Sequence, residues 1–363
     1  MQAYELIIDA KVNDYPFDIV SAANFRTHKG DTLDPQIVLD QPNISLYCLD
    51  HANKQAIFVK TALEIDLLKE PFYFFAQYEA AESLIAVPYD TLHELAQKVE
   101  IDPQRIILLY STGRCGSTLF SHVLNLNERL ISFSEPDVFS QLVMLRTSQQ
   151  ASDGQIRELL HDSLMVMCGN AQQQGFERYA FKFRSYVLSL SDLLYQAVPE
   201  AKLIFMYRHA LTWARSFSRA FGAADDQKLQ EQLSRGFRYM IPGVHHHLTQ
   251  QGQITWPEYL AHMWVSTMQD SRWLLAQGAR LACVRYEDLK ADPRAVFETS
   301  LRHCGLAMPD GGLELTLATD SQKGTAGAQD KKPARALTEG DLRELEHLIQ
   351  QLDPQLTPHT RLS

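Results

Sequence analysis

The sequence has no Cys-x-x-Cys pair, no long apolar run and no excess of basic residues. Its five cysteines are scattered and odd in number, which argues against a disulfide framework and a structural zinc site. No segment approaches the roughly 18 consecutive apolar residues that a membrane-spanning helix needs. The first residues lack the basic region and apolar core of a signal peptide. We therefore expect a cytoplasmic protein that has no membrane partner.

The charge balance bounds the class of partner. The formal net charge is −10, from 34 basic and 44 acidic residues. This excess of acid argues against broad binding to nucleic acid, although it allows a local basic pocket. With 45% hydrophobic and 21% charged residues, the chain has a globular composition. We expect no nucleic-acid partner.

The first hundred residues differ in pattern from the rest. Two strand-like runs, 44–48 and 56–59, flank a turn-prone stretch and predict a β-hairpin. Capping-box spacing at Thr91 predicts the start of a short helix. We therefore predict an N-terminal accessory α+β region at 1–100 and a second domain at 101–363.

In the second domain, apolar runs alternate with helical segments. The runs predict buried strands at 105–110, 179–183, 202–207 and 280–286. Such alternation is typical of a parallel sheet that is covered by helices on both faces. We predict the α/β class, as a three-layer sandwich with a central parallel sheet.

The stretch 111–118 reads Ser-Thr-Gly-Arg-Cys-Gly-Ser-Thr and lies between the first of these strands and a helix-like segment. A strand, a glycine-bearing turn and a helix start direct backbone N–H groups and the helix dipole to one point, which suits a phosphate. An ATP-type P-loop needs four residues between its glycines and a Lys after the second. Here only two residues separate the glycines, and the cation, Arg114, is one of them. The loop therefore predicts a different phosphate ligand.

A second motif follows the strand predicted at 202–207. Arg208 ends this strand, and Ser216 follows eight residues later. Because a crevice borders the carboxyl ends of the strands in an open parallel sheet, we expect Arg208 to face the loop 111–118. A forked cation and a hydroxyl suit a second phosphate, although an Arg at a strand end is more often part of an ion pair.

Together the two motifs resemble those of sulfotransferases that use 3′-phosphoadenosine 5′-phosphosulfate (PAPS) as donor. The resemblance covers about residues 105–330 and implies a P-loop-like fold. The family's Arg and Ser, eight residues apart, hold the 3′-phosphate and match Arg208 and Ser216. The family's 5′-phosphosulfate loop matches five consecutive residues, Arg114, Cys115, Gly116, Ser117 and Thr118.

Two further segments extend this resemblance. Tyr286, in a Tyr-Glu-Asp-Leu segment, matches the family's adenine-contacting tyrosine. Lys323 and Gly324 match a loop that closes over the nucleotide, although Gln322 stands where the cytosolic branch has Arg. For this last segment, a flexible loop rich in glycine and alanine is the alternative.

The resemblance also implies a base that deprotonates the acceptor hydroxyl. The cytosolic branch uses a His, but the corresponding strand here has Lys182 and Arg184 and no His. The branch that includes tyrosylprotein and several bacterial carbohydrate sulfotransferases uses a Glu well past the loop, and Glu135 follows Arg114 by 21 residues. We therefore place the chain closer to this branch, with Glu135 as base and Arg114 on the leaving side. Lys182 is assigned to the bridging oxygen or to an acceptor group, with a structural ion pair at the strand end as the equal alternative.

Two features suggest other chemistry. Cys115 lies at a helix start, where thiols become acidic, but a phosphatase needs an Arg six residues after its Cys and Ser121 stands there. Three adjacent histidines at 245–247 suggest a metal site, but adjacent side chains point in different directions, so a solvated or acceptor-facing loop is preferred. We expect no metal.

The sequence therefore predicts an enzyme that transfers a sulfuryl group from PAPS to a hydroxyl of a small molecule or carbohydrate. A P-loop kinase or NTPase is an alternative that the missing Gly-Lys-Ser/Thr sequence disfavours. A catalytically silent nucleotide-binding scaffold is a second alternative. The identity of the acceptor and the choice between monomer and homodimer stay open.

Overall fold

The computed structural model describes residues 2–13, 15, 17–69, 72–319 and 334–362. Ten strands within this part of the chain form two five-stranded sheets. The first sheet contains β1 (Ala3–Lys11), β2 (Phe25–Leu33), β3 (Ile44–Asp50), β4 (Gln55–Lys60) and β5 (Ser83–Pro88). The second contains β6 (Ile106–Ser111), β7 (Leu130–Ser134), β8 (Arg178–Lys182), β9 (Lys202–Tyr207) and β10 (Leu281–Arg285).

The α-helices follow one another along the described chain. They are α1 (Ile37–Asp40), α2 (Tyr73–Ala80), α3 (Tyr89–Ala96), α4 (Ser117–Leu124), α5 (Val138–Thr147), α6 (Asp153–Gln173), α7 (Ser191–Ala197), α8 (Ala210–Phe221), α9 (Asp226–Ser234), α10 (Pro242–Gln251), α11 (Trp256–Ala276), α12 (Tyr286–Ala291), α13 (Pro293–His303), α14 (Leu313–Ala318) and α15 (Glu339–Leu352). Short 3₁₀ helices cover Ala22–Asn24, Leu67–Lys69, Pro103–Arg105, Ser185–Leu190 and Phe237–Tyr239. None of the helices in the described ranges combines the length and the apolar character that crossing a bilayer requires.

The chain divides into two compact units. The first unit consists of Met1–Ile106, Glu128–Phe181 and Leu193–Ala201. The second unit consists of Ile107–Asn127, Lys182–Asp192 and Lys202–Ser363. The domain boundary predicted near residue 100 stays a prediction.

The N-terminal sheet has the strand order β2-β1-β5-β4-β3, and each neighbouring pair is antiparallel. It contains the predicted hairpin, in which β3 pairs with β4. The helix predicted to open at Thr91 begins earlier, at Tyr89, and Thr91 is buried inside it. The N–H of Tyr89 donates to the carbonyl of Lys54 at 2.9 Å, so a hydrogen bond to the β3–β4 turn accompanies the helix start in place of a side-chain cap.

The second sheet has the strand order β10-β9-β6-β8-β7. β9 is parallel to both β6 and β10. Its register places Met206 opposite Ser111 and Tyr207 opposite Arg285. The carboxyl ends of these three strands therefore lie at one edge, where the segments with the predicted site residues begin.

The predicted α/β class with a parallel sheet is confirmed. Strands β6, β8, β9 and β10 begin and end within one residue of the runs predicted from the sequence. β7 was not predicted, because it is only five residues long and two serines, Ser132 and Ser134, interrupt its apolar pattern. β7 is an edge strand of the sheet, yet all five of its residues are buried, and its two serines hide this from the sequence pattern.

Candidate functional site

The loop between β6 and α4 has an unusual backbone. Gly113, Arg114 and Gly116 have φ angles of 73°, 52° and 86°, all in the left-handed region. For a non-glycine residue this conformation costs about 1–2 kcal/mol, so Arg114 is held there by its surroundings. Gly116 is the N-cap of α4 and has no side-chain oxygen for the first N–H groups of the helix. A helix start of this kind suits an anion.

Strand β9 and helix α8 hold the loop in place. The N–H of Thr112 and the thiol of Cys115 both donate to the carbonyl of Met206, at 3.0 and 3.3 Å. The buried indole Nε1 of Trp213 donates to the carbonyl of Thr112 at 2.9 Å. The loop is therefore fixed by three hydrogen bonds to elements that follow it by about ninety residues or more in sequence.

Gly116 also lies against α12. A Cβ at this position would lie 2.9 Å from Cδ2 of Leu289 and 3.7 Å from Cδ2 of Tyr286. A separation of 2.9 Å is shorter than van der Waals contact, so a side chain here would require the buried Leu289 side chain, or α12 itself, to shift. Gly116 is thus required both by its φ angle and by its neighbour.

Arg114 joins the loop to α8. Its Nε donates to Oγ of Ser216 at 3.3 Å, and its guanidinium lies 5.9 Å from the centroid of the Phe221 ring. The structure thus places the Arg of the first predicted motif beside the Ser of the second. Both side chains are half-buried.

Arg208, directly after β9, contacts two other parts of the site. Its Nη1 donates to the carbonyl of Arg114 at 3.3 Å, and its Nε donates to Oγ1 of Thr212 at 3.1 Å. Its guanidinium lies 4.4 Å from the centroid of the Tyr286 ring, within the range of a cation–π contact. The structure therefore brings Arg114, Arg208 and Tyr286 together, while their roles stay predictions.

Lys182 ends β8 and is buried, with 2% of its surface exposed. Burial lowers the pKa of His122, and the positive charge of Lys182 lowers it further. His122 lies on α4, one turn after Thr118. The sequence reasoning missed His122, although the spacing of four residues from Thr118 places both on one helix face.

Cys115 is fully buried in the loop. Burial raises the pKa of its thiol, and hydrogen bonds with Thr112, Ser111 and Ser117 oppose this only in part. The thiol is therefore protonated at neutral pH and is a poor nucleophile, which disfavours phosphatase-like chemistry.

Glu135 lies directly after β7, in the first unit, and is half-buried. Its φ angle is 62°, in the left-handed region. Within the described residues, only four non-glycine residues have a positive φ, and the other three are Lys54, Arg114 and Gln149. Two of these four were selected from the sequence as catalytic. Strained backbone of this kind concentrates at functional sites.

The three histidines at 245–247 lie in α10, so the predicted loop is wrong. Pro242 occupies the first turn of this helix, a position that favours helix initiation. In the described part of the chain, the group that is able to hold a metal ion lies elsewhere and consists of His93, Glu158 and Asp162. His93 Nδ1 lies 3.0 Å from the buried Asp162 carboxylate, a contact that joins α3 to α6.

Lys323 and Gly324 lie outside the described residues. The sequence reasoning also missed Glu287, which follows Tyr286 in the same motif. Its Oε1 accepts hydrogen bonds from the N–H of His209 at 3.3 Å and from Oγ1 of Thr212 at 3.4 Å. Its place beside Tyr286 in the sequence was the available signal.

The comparison with family profiles identifies one family. A profile described as the sulfotransferase family matches residues 106–310, more than half of the chain. Among curated proteins, none matches the chain. Among solved structures, sulfotransferase STF1 of Mycobacterium tuberculosis is 13% identical, with 72% of this chain and 82% of that chain covered and a TM-score of 0.39.

Two other solved structures are similarly distant. The sulfotransferase domain from the curacin biosynthetic pathway is 16% identical over 70% of this chain and 98% of that chain, with a TM-score of 0.40. A sulfotransferase from Alicyclobacillus acidocaldarius is 15% identical over 70% of this chain and 96% of that chain, with a TM-score of 0.36. On the extent of the profile match, this chain belongs to the sulfotransferase family.

Proposed function

We propose that the protein transfers a sulfuryl group from PAPS to an acceptor hydroxyl. The observation that carries this proposal is the hydrogen bond from Arg208 Nη1 to the backbone carbonyl of Arg114, which ties the residue after β9 to the loop before α4. Each guanidinium also has a hydroxyl partner, Ser216 for Arg114 and Thr212 for Arg208. Two forked cations, one in the loop and one hydrogen-bonded to the loop backbone, suit a ligand that carries two separate phosphate groups.

The donor would be held by the residues that the sequence motifs identify. Arg114 and the N–H groups at the start of α4 would hold the 5′-phosphosulfate, with the hydroxyls of Ser117 and Thr118 as further donors. Arg208 and Ser216 would hold the 3′-phosphate, and the ring of Tyr286 would contact the adenine. The fit is supported by Gly116, whose missing side chain lets the loop lie against α12. Lys323 and Gly324 stay proposed as a cover over the nucleotide.

When PAPS is bound, it supplies a sulfuryl group on a good leaving phosphate. The acceptor oxygen forms a bond to sulfur, the bond from sulfur to the 5′-phosphate oxygen breaks, and 3′-phosphoadenosine 5′-phosphate (PAP) leaves. Arg114 and the loop N–H groups stabilise the charge on the departing phosphate. Lys182 stabilises the bridging oxygen, and the reaction as proposed uses no metal.

Glu135 is proposed as the base that accepts the proton of the acceptor hydroxyl. Its support is its spacing from Arg114 in the sequence and its own left-handed backbone at the end of β7. A carboxylate with a fixed backbone is oriented without a large loss of entropy when the acceptor binds. The acceptor itself is proposed to be a small molecule or a carbohydrate.

The test of this proposal is binding of PAP and of 5′-AMP, which lacks the 3′-phosphate, by calorimetry without magnesium. We expect PAP to bind at least about tenfold more tightly than 5′-AMP, because one charge-assisted site is lost with the 3′-phosphate. Equal affinities for the two nucleotides would contradict the proposal. Magnesium-dependent hydrolysis of ATP would instead favour the kinase or NTPase alternative.

A further inference from the structure

The C-terminal segment, residues 357–362, contacts the chain on both sides of Arg208. The carbonyl of Pro358 accepts a hydrogen bond from the N–H of Ala210 at 3.2 Å. The N–H of Leu362 donates to the hydroxyl of Tyr207 at 3.0 Å. Because Tyr207 lies one residue before Arg208 and Ala210 lies two residues after it, the segment holds the backbone from which this side chain extends.

A histidine pair makes a third contact with the same turn. Nε2 of His359 lies 3.4 Å from Nε2 of His209, and the two ring centroids are 4.3 Å apart. One ring must donate and the other accept for this contact to be favourable. The N–H of His209 donates to Glu287, and the one hydroxyl proton of Thr212 has as acceptors the carbonyl of His209 at 3.1 Å and Glu287 at 3.4 Å. Thr212 in turn accepts from Nε of Arg208. A chain of hydrogen bonds therefore leads from the histidine pair to the Arg208 guanidinium.

The segment also contacts α12, the helix that begins at Tyr286. Nη2 of Arg361 lies 3.5 Å from Oδ1 of Asp288. Exposed ion pairs of this kind contribute little by themselves, so this contact adds orientation more than stability.

The segment is itself ordered and anchored. The side chain of Leu356, directly before it, is fully buried. Within the segment, the N–H of Thr357 donates to Oγ1 of Thr360 at 2.8 Å, and the N–H of Thr360 donates to the carbonyl of Thr357 at 3.0 Å. This turn presents Pro358 and His359 to the start of α8.

We propose that segment 357–362 positions Arg208 for the 3′-phosphate, with His359 as a positioning residue. The proposal rests on the proposed function, because Arg208 is the residue assigned there to the 3′-phosphate. The segment touches no nucleotide in this scheme and acts through the backbone at Tyr207 and Ala210 and through His209. Without it, the Arg208 guanidinium loses its fixed direction, and the preference for PAP over 5′-AMP falls.

The contact between His209 and His359 makes the positioning of Arg208 by segment 357–362 depend on pH. Burial lowers the pKa of His209, the nearby His359 lowers it further, Glu287 and Glu346 oppose this, and Arg285 adds to it. His209 is therefore neutral at neutral pH, and its protonation in acid adds a positive charge to the contact with His359 and removes the acceptor nitrogen of His209. The segment then loosens as the pH falls, whereas the amide oxygen of a glutamine at position 359 is able to accept from protonated His209.

The experiment measures the ratio of 5′-AMP to PAP dissociation constants for the full chain, a chain ending at Leu356, His359→Ala and His359→Gln. We expect the truncation to lower the ratio by about tenfold and His359→Ala by about threefold. His359→Gln should restore most of the ratio at pH 7 and should lose less PAP affinity than the full chain between pH 7 and 5.5. His347→Ala is the matched control, since His347 is exposed on α15 and its Nε2 lies 2.8 Å from Nε2 of Gln351 on the same helix.

The outcomes separate the proposals. The proposed function is contradicted if the wild-type protein binds PAP no more tightly than 5′-AMP. The positioning role of His359 is contradicted if the wild-type protein prefers PAP to 5′-AMP and a folded His359→Ala variant keeps the full ratio of the two dissociation constants. A purely structural role would lower the melting temperature and both affinities equally, and would leave the ratio unchanged. If the truncated chain does not fold, His359→Ala decides alone, because it removes one exposed side chain.

Discussion

The guanidinium of Arg208 lies 4.4 Å from the centroid of the Tyr286 ring, while its Nη1 donates to the carbonyl of Arg114. This one side chain joins three segments that are far apart in the sequence. A cation over an aromatic face is stabilised by about 0.5–2 kcal/mol, so the arrangement is organised before any ligand binds. The central prediction is that the 3′-phosphate binds at this guanidinium.

Replacement of Arg208 should therefore separate the two phosphate sites. We expect Arg208→Ala to weaken PAP binding by about tenfold or more, because a forked charge-assisted contact is lost. The affinity for 5′-AMP should change far less. Calorimetry with both nucleotides checks this, and Arg215→Ala is the matched control because Arg215 is exposed on α8, the helix that follows Arg208, and pairs with Glu339. Equal losses of affinity for PAP and for 5′-AMP would contradict the assignment of Arg208 to the 3′-phosphate.

Gly116→Ala should disrupt the loop by two separable effects. The first is the left-handed φ of 86°, which costs an alanine about 1–2 kcal/mol. The second is the Cβ placed 2.9 Å from Leu289. Gly252→Ala is the matched control, because Gly252 has a φ of 80° and nothing within 4 Å of the added Cβ.

We expect Gly116→Ala to lower stability in urea unfolding more than Gly252→Ala, and to abolish detectable PAP binding. Adding Leu289→Ala should recover part of the binding, since it removes the atom that the new Cβ meets. A Gly116→Ala protein that binds PAP normally would show that nucleotide binding does not need the close packing of Gly116 against Leu289.

Cys115→Ser should retain sulfuryl transfer within about threefold of wild type, because the hydroxyl is able to keep the hydrogen bond to Met206. The thiol is fully buried and burial raises its pKa, so iodoacetamide should not modify it in the native protein at pH 8. Mass spectrometry of labelled peptides checks this. Rapid labelling of Cys115 with loss of transfer in the serine variant would revive the nucleophile alternative.

The stability of the protein should fall in acid, in part through His262. Its Nε2 lies 3.3 Å from Nδ1 of His247, and burial first and His247 second lower the pKa of His262 to about 4, from an ordinary value of 6.5. Between pH 6.5 and 4 the unfolded chain therefore binds a proton at His262 that the folded chain does not. The contribution of neutral His262 to the free energy of unfolding is complete above pH 6.5 and is lost progressively as the pH falls toward 4. We expect His262→Gln to lose less stability than wild type between pH 7 and 5 in urea unfolding. His347→Gln, with an exposed histidine, should behave like wild type.

The loop and Arg208 were predictable because each directly follows an apolar run, and in a parallel sheet the carboxyl ends of the strands share one edge. Ser216, which lies inside α8, and Tyr286 were identified from the resemblance to sulfotransferase motifs. The register of β9 with β6 and β10 then accounts for the meeting of the loop, Arg208 and Tyr286.

Other parts depend on contacts that no local pattern encodes. The antiparallel pairing of β1 with β5 joins residues that are far apart in sequence, and β7 is hidden by its serines. The contact between His209 and His359 spans 150 residues, so neither histidine had a signal of its own. Packing, rather than spacing, places His122 near the charge of Lys182.

The most direct test of the account is transfer from PAPS to a panel of phenols and monosaccharides by wild type and Glu135→Gln, with PAP and sulfated acceptor quantified together by mass spectrometry. The account predicts equal amounts of PAP and sulfated product with wild type. It also predicts a loss of about 100-fold or more in Glu135→Gln, which should still bind PAP as wild type does. Full transfer by Glu135→Gln would contradict its role as the base, and a wild-type protein that neither binds PAP nor releases it from PAPS would contradict the proposed function itself.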